Sequence, residues 1–465
     1  MVPPRHSSRL TVHLASPEVL LGFVPAVWLA WWTAARWGPR WSPAAVLLVG
    51  SAGFYAWERP DHLPVLAGSI LVNHALMRRL HAGGGRGWLW GGVALNLLLL
   101  GVFKYTGFVV GELSALLDQG WTRPRFVLPL GLSFFTFQQV GALVASARGR
   151  QGRVSLLHHA LHTAFFPQLV AGPIVRSTDF HPQLDRGWLE RLTVRRVGSG
   201  LALVCLGLFK KTVVADSLAP IVDRVFRAPA VGAGEAWTGA LGYTLQLFYD
   251  FGGYADLAMG LGLLFGLALP ANFDAPYRAT SLRDFWRRWH ITLGDFLREH
   301  VYIALGGRRE GPGREWAALL VTFALGGLWH GAGWTFVWWG LLHGLVMVVD
   351  AWGRRRGWVV PRPVGWVGTM LVVVFGWVLF RSVSLDQALH TWGAMVGQNG
   401  VGDGMITVVG LVGLLGLTVA LPVSWRWATT TMWATPRRSA LVCAAAGLVG
   451  LVHSVRTLDF LYFRF

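Results

Sequence analysis

Charge is what this sequence has least of. Only 14% of its 465 residues are Asp, Glu, Lys or Arg, against about 25% in an ordinary soluble chain. Together with 54% hydrophobic residues and a mean hydropathy of +0.47, that shortage argues against a soluble multidomain protein and for a polytopic membrane protein. Cysteine is nearly missing too. Cys205 and Cys443 both sit in apolar segments, so there is no C-x-x-C pair and no disulfide framework, only two small buried hydrophobes. No internal repeat is visible, which removes the signature of many secondary transporters. There is no P-loop, no dinucleotide fingerprint and no G-x-S-x-G elbow. No low-complexity linker divides the chain, so one domain over residues 1–465 is the simplest account.

Acidic residues are the scarcer sign: 23 Asp and Glu against 41 Lys and Arg, a net charge of +18. The basic residues fall in short clusters between apolar runs, such as Arg148, Arg150 and Arg153, then Arg354, Arg355 and Arg356. That is the positive-inside pattern, with anionic lipid headgroups as the counterpart rather than nucleic acid. The 26 tryptophans suit membrane interfaces but outnumber what interfaces need, so some should line interior surfaces.

A span needs about 20 apolar residues. Candidates centre near residues 25, 48, 70, 95, 110, 140, 165, 205, 242, 260, 322, 342, 372, 412 and 446. Several are short or broken by Gly and Pro, so the expectation is an all-α protein with about 11 spans plus re-entrant or interfacial helices. Arg5 and Arg9 precede the apolar run from Val19 to Trp32, which reads as a first membrane helix that stays attached.

The largest polar interruption runs over residues 271–315. It interleaves Arg278, Arg283, Arg287, Arg288, Arg298, Arg308, Arg309 and Arg314 with Phe285, Trp286, Trp289, Phe296 and Tyr302. If helical, it pairs Asp284 with Arg288 and sets Arg287 beside His290. Such a segment belongs at a membrane surface. Headgroup anchoring accounts for most of its arginines; Arg287 and Arg288 are the candidates for gripping an anionic ligand.

Residues 316–349 contain no Asp, Glu, Lys or Arg, yet hold His330 and His343. As one helix the run would be about 50 Å long, too long for ordinary tilt. Gly326, Gly327, Gly331 and Gly333 mark where it should give way. A break within a membrane protein must be buried or face a cavity, so His330 is expected on an internal cavity. Its near-neutral pKa suits general base or acid chemistry. A hydrogen-bonded packing histidine is the plain alternative, and it applies equally to His290 and His343. In "LHHALH", His158 and His162 have an i, i+4 spacing that can hold a metal. No carboxylate and no H-E-x-x-H pattern accompany them, so no metal is expected. Asp250 and Asp256 in "LFYDFGGYADLAMG" are intramembrane carboxylates. They read chiefly as structural supports, for instance paired with arginines of the polar loop, with Gly252 and Gly253 marking a helix start or break. Lys210 and Lys211 read as snorkelling at a helix end. Ser133, Gln138, Tyr254, Trp289 and Trp329 complete the candidates for lining a shaped interior.

Six segments then resemble one family, the membrane-bound O-acyltransferases, and within it the alginate O-acetylation type. They are "PLGLSFFTFQ" (129–138), "FFPQLVAGPIVR" (165–176), "GLFKKTVVADSLAPIVDRVF" (207–226), "QLFYDFGGYADLAMGLGLLFG" (246–266), "PYRATSLRDFWRRWHITLGDFLREHVYIALGG" (276–307) and "GGLWHGAGWTFVWWGLLHG" (326–344). The resemblance is strong from about residue 125 to 350. It implies a helical ring around a tunnel that joins the two membrane faces. It places the family's signature histidine at His330 and its second signature position at His290. It also implies an acyl thioester such as acetyl-CoA as substrate with no bound cofactor, an extracytoplasmic esterase-like partner, a polysaccharide acceptor, and a bacterial inner-membrane location. D-alanyl transfer to a teichoic-type polymer is the alternative within the family. A transporter of a small acid or lipid-linked sugar is the alternative outside it.

Overall fold

Backbone in hydrocarbon finds no water to bond, so apolar segments satisfy their N–H and C=O groups within themselves. Accordingly the protein, in a computed structural model that describes residues 13–124, 126–184, 187–455 and 458–461, has only helices as regular elements among those residues. Arg5 and Arg9 lie outside them.

Six helical runs are long and apolar enough to cross a membrane by length and composition: Glu18–Trp37, Arg86–Leu117, Val194–Arg227, Trp334–Arg355, Arg362–Arg381 and Met405–Thr429. The expected figure of about 11 is not reached by that measure among the described residues. Helices Ser42–Glu58, Leu63–His81, Pro312–His330 and Pro436–Ser454 accompany them. Leu21, Val49, Leu98, Ile406, Val409 and Leu441 are exposed on the outer surface. Exposure of that many large apolar side chains suits lipid and would be a liability in water.

Two sequence-expected spans are one element. The centres near 242 and 260 belong to a single helix, Ala233–Leu264, of 32 residues and buried along nearly its whole length. Gly252 and Gly253 do not break it. Their region is instead where it meets the helix Val194–Leu208 and the π-turn Phe209–Ala215. A Cβ on Gly253 would lie 2.8 Å from the carbonyl oxygen of Gly207, and one on Gly260 2.7 Å from that of Gly200. Lipid gives helices no hydrophobic drive to associate, so close approach through small residues supplies the packing. The candidate spans near 140 and 165 are also interior: Leu132–Ala147 is almost wholly buried, and Leu156–Ala164 and Phe166–Leu169 are short buried turns of helix.

The lysines expected to snorkel do not. Lys211 is 3% exposed and donates to Asp250 Oδ1 at 2.6 Å and Asp216 Oδ1 at 2.8 Å. The second oxygens of those carboxylates accept the backbone N–H groups of Leu461 (Asp250, 3.1 Å) and Leu458 (Asp216, 3.2 Å). Lys210 bonds Asp256 Oδ2 at 2.7 Å, and Ser424 Oγ shares that oxygen at 2.6 Å. The partners of Asp250 and Asp256 are therefore these lysines, not arginines of the polar loop. Sequence reading missed the pairing because residues 210 and 250 are on different helices, and only the glycine seam brings them together.

Removing one partner of a buried ion pair strands the other and costs about 3–5 kcal/mol. Lys211→Met is expected to lower the thermal unfolding midpoint in detergent by several degrees. An unchanged midpoint would show that the pair does not tie the helices.

Candidate active site

The apolar run 316–349 is a hairpin. Helix Pro312–His330 ends at His330, three residues turn the chain, and helix Trp334–Arg355 returns. The break falls among the expected glycines, but as a reversal rather than a kink. The turn glycines do not need unusual dihedral angles: Gly331 has φ −156° and Gly333 φ −173°, both extended. They need space. A Cβ on Gly331 would collide with the ring of Phe336, one on Gly327 with the carbonyl of Phe336, and one on Gly340 with that of Phe323. The two helices thus touch backbone to backbone, and His330 sits at the tip of the hairpin.

A helix ending inside the protein leaves carbonyls without partners. Here they are met from another helical run. Tyr105 Oη donates to Leu328 O at 2.9 Å, and Lys104 Nζ donates to Trp329 O and, at 3.2 Å, to His330 O. Both donors belong to a π-turn, Gly101–Tyr105, within Arg86–Leu117. A cation at a helix C-terminus also opposes the negative end of the helix dipole. Sequence reading passed over Lys104. The signal was present: from Trp88 to Gly111 it is the single Asp, Glu, Lys or Arg, and an ionisable residue within a span is a functional hypothesis by default.

His290 comes from the polar loop, which is not one amphipathic helix. It is a series of short turns that includes Leu282–Trp286 and Ile291–Leu297. Between these His290 adopts φ 43°, ψ 54°, a left-handed conformation uncommon for a non-glycine residue. Flanking bonds hold it there. Asp274 N donates to Arg288 O at 2.9 Å, Ile291 N to Asn272 O at 3.0 Å, and Thr292 Oγ1 to Asn272 Oδ1 at 2.7 Å. Thr292 Oγ1 also accepts Ile174 N at 2.9 Å. Strain held this firmly is a mark of functional positions. The result is a close pair of buried imidazoles, His290 and His330, with ring centroids 6.4 Å apart. Trp329, Trp339 and Phe380 pack around His330 at 5.0–5.3 Å.

Two cavities reach His330, and one of them also reaches His290. One, of about 290 Å³, is lined by Arg283, Arg287, Arg298 and Arg354, with His290 and His330 in its wall. The other, of about 370 Å³, is lined by Lys104, Ser133, Trp329 and His330, with Glu58, Arg59 and Asp459 also at its wall. His330 belongs to both.

The remaining sequence candidates are placed as follows. Ser133 and Trp329 join His330 in the second cavity. Arg287 joins it in the first, but Arg288 is bonded to Asp284 Oδ1 at 2.8 Å and to Asp274 O at 3.2 Å, and it is not among the lining residues. Gln138 lines a third cavity, beside Arg148, Arg150, Arg176 and Glu299. Asp256 lines a small fourth one with Lys210. Asp250 and Tyr254 line neither of the His330 cavities; Asp250 is the ion-pair partner of Lys211, and Tyr254 packs on Phe460 at 4.9 Å. Trp289 is a packing ring, 5.0 Å from both Phe273 and Trp377. His343 is buried between Trp339 and Trp286. Arg283, Arg298 and Arg354 are cavity residues that the sequence left among general headgroup anchors, because periodicity does not say which arginines turn inward.

Residues 94–384 match the model of MBOAT, the membrane-bound O-acyltransferase family. The chain belongs to that family. It is 37% identical to a peptidoglycan O-acetyltransferase of Helicobacter pylori over 83% of this chain and 80% of that one. It is 38% identical to a probable alginate O-acetylase of Pseudomonas putida, over 81% and 78%. A teichoic acid D-alanyltransferase of Bacillus subtilis is 25% identical over 54% of this chain and 68% of its own length. The protein is a multi-pass membrane acyltransferase, and the expected family is the observed one.

Lys104→Met removes a charged donor from two carbonyls, and a misplacement of about 1 Å at a reacting group costs on the order of 100-fold in rate. Acyl transfer is expected to fall at least about tenfold at equal levels of folded protein in membranes. Unchanged turnover would limit Lys104 to packing.

Proposed function

We propose that this protein moves an acetyl group from a cytosolic thioester, acetyl-CoA or another acyl thioester, to a hydroxyl of an extracytoplasmic polysaccharide. Transfer is direct or through an esterase-like partner outside the membrane, and the protein resides in the bacterial cell membrane. The observation that carries this reading is the position of His330 between two cavities of unlike lining. The names of the O-acetylating relatives support it.

The arginine-lined cavity suits the donor. Guanidinium groups bind phosphate in a fork, and Arg283, Arg287, Arg298 and Arg354 surround its wall. The same side carries the ion pairs Arg150–Glu299 at 2.7 Å and Arg355–Glu315 at 2.6 Å. Arg150 and Arg355, from the basic clusters at 148–153 and 354–356, thus pair with Glu299, next to cavity residue Arg298, and with cavity residue Glu315, and the positive-inside rule assigns such a face to the cytoplasm. The cavity with Lys104 and Ser133 then receives the acceptor hydroxyl.

His330 takes the hydroxyl proton as the oxygen attacks the thioester carbonyl carbon. The developing oxyanion needs donors fixed in place; His290 and the Ala332 N–H, in the turn after His330, are the candidates. The C–S bond breaks, the thiolate leaves with a proton returned by His330, and the ester remains on the acceptor. A transporter reading loses its footing because Asp250 and Asp256, its best features, are held by lysines. D-alanyl transfer rests on the more distant relatives.

His330→Ala is expected to cut ester formation on the polymer by about 100- to 10,000-fold, the range of a lost general base, in membranes with normal levels of folded protein. Undiminished transfer would remove His330 from catalysis. Arg287→Gln should raise KM for acetyl-CoA with little change in kcat, and equal KM values would place the donor phosphates elsewhere.

A further inference from the structure

A second histidine cluster lies outside the acyl-transfer site. Helix Leu156–Ala164, capped by Ser155 Oγ on His158 N at 3.1 Å, presents His159 and His162 on one face. Helix Ser177–Leu184 brings His181 to the same place. One ring nitrogen from each of the three lies within 4.8 Å of the others. All three residues are buried, His159 and His162 completely.

Their hydrogen bonding is incomplete in a directed way. Both nitrogens of His159, both of His181 and Nδ1 of His162 are buried with no partner among the described residues. The exception is His162 Nε2, 3.0 Å from the carbonyl oxygen of Val175. A carbonyl only accepts, so Nε2 carries the proton and Nδ1 presents a lone pair to its neighbours. Leaving several imidazole nitrogens buried and unbonded is costly. Burial also lowers the pKa of all three, chiefly by desolvation, so they stay neutral, the form that binds metals.

We propose that His159, His162 and His181 form a site for a divalent transition-metal ion, with zinc the best fit to three neutral imidazoles. Zinc–nitrogen bonds of about 2.0–2.1 Å place tetrahedral ligand nitrogens about 3.4 Å apart. Rotation of the rings by about 1 Å closes the set from its present spacing. The Val175 carbonyl on His162 supplies the outer hydrogen bond that orients a metal-bound histidine. A fourth position is left for water. His181, and not the His158 whose i, i+4 spacing to His162 the sequence offers, completes the set, so this proposal departs from the expectation of no metal.

The ion would act as a clasp. The two helices flank the segment 165–176, whose Ile174 N bonds Thr292 Oγ1 two residues beyond His290. Zinc thus fastens both ends of the segment that braces the His290 loop. These histidines are positioning residues, and the site stands independently of which acyl group or acceptor the enzyme uses.

The test uses the full-length protein, purified in detergent with a histidine-free affinity tag. It is stripped with a chelator, reloaded with zinc, and measured by elemental mass spectrometry. About one tightly held equivalent is expected, together with a higher thermal unfolding midpoint with zinc than with chelator. His159→Gln and His181→Gln should each lose the ion, while His158→Gln should keep it. Cobalt loading of the wild type gives a readout independent of variant folding: intense visible absorption of a four-coordinate site is expected. No retained metal with no stabilisation by zinc would overturn the proposal, as would equal retention by His181→Gln. Either result would leave the cluster as aromatic packing around Phe180, which lies 5.4 Å from His162.

Discussion

The fold turns on one requirement: the carbonyls at the end of the His330 helix must find donors where bulk water is scarce. Tyr105 and Lys104 meet Leu328, Trp329 and His330 from a neighbouring helical run. A buried ammonium is expensive in hydrocarbon, and three carbonyls at a helix end are costly to leave bare. Each liability answers the other. The consequence is geometric. The hairpin tip is tied at its polar end, while the glycine contacts at Gly327, Gly331 and Gly340 bring its two arms together. His330 is thereby held between the two cavities instead of retreating into either.

Charge is otherwise removed from the interior by pairing. Lys211 spends its charge on Asp216 and Asp250, and Lys210 on Asp256. These contacts tie the Val194–Arg227 run to the helix Ala233–Leu264 and to the described C-terminal residues Leu458 and Leu461. Four arginines remain at the wall of the donor-side cavity. The arrangement separates two uses of charge. Paired charges fix helices, and on the arginine-lined wall Arg298 and Arg354 are paired too, with Asp295 and Asp350 at 3.0 Å, which leaves Arg283 and Arg287 as the guanidinium groups offered to an anion.

Much of this was legible in sequence, for definable reasons. Hydropathy gives membrane helices because lipid imposes a single composition on them. Length arithmetic pointed to a break within residues 316–349, a run longer than an ordinary span, and the glycines gave its place before residue 334. Asp284 and Arg288 pair because i, i+4 geometry is local. The failures are all non-local. Gly252 and Gly253 suggest a helix start or break, but the meaning of Gly253 depends on Gly207, far away in sequence. The partners of Asp250 and Asp256 came from a helix read as ending in snorkelling lysines. His181 joins His159 and His162 only because a short segment folds back between them. Lys104 is the instructive case: its anomaly was local and visible, but its role required knowing which helix ended beside it.

The loop that carries His290 shows why distant motifs belong to one device. Its left-handed backbone costs on the order of 1–3 kcal/mol and persists only if its surroundings enforce it. Asn272 bonds the chain just after His290, Asp274 the chain just before it, and Ile174 anchors Thr292. The "FFPQLVAGPIVR" segment is therefore part of the loop's support although Ile174 lies more than a hundred residues before Thr292 in sequence. His162 grips that same segment through Val175. The line from the histidine cluster through Val175, Ile174 and Thr292 ends two residues from His290. A change that loosens the cluster should reach the chemistry through this line before it reaches His330, because His330 is held by the separate contacts of Lys104.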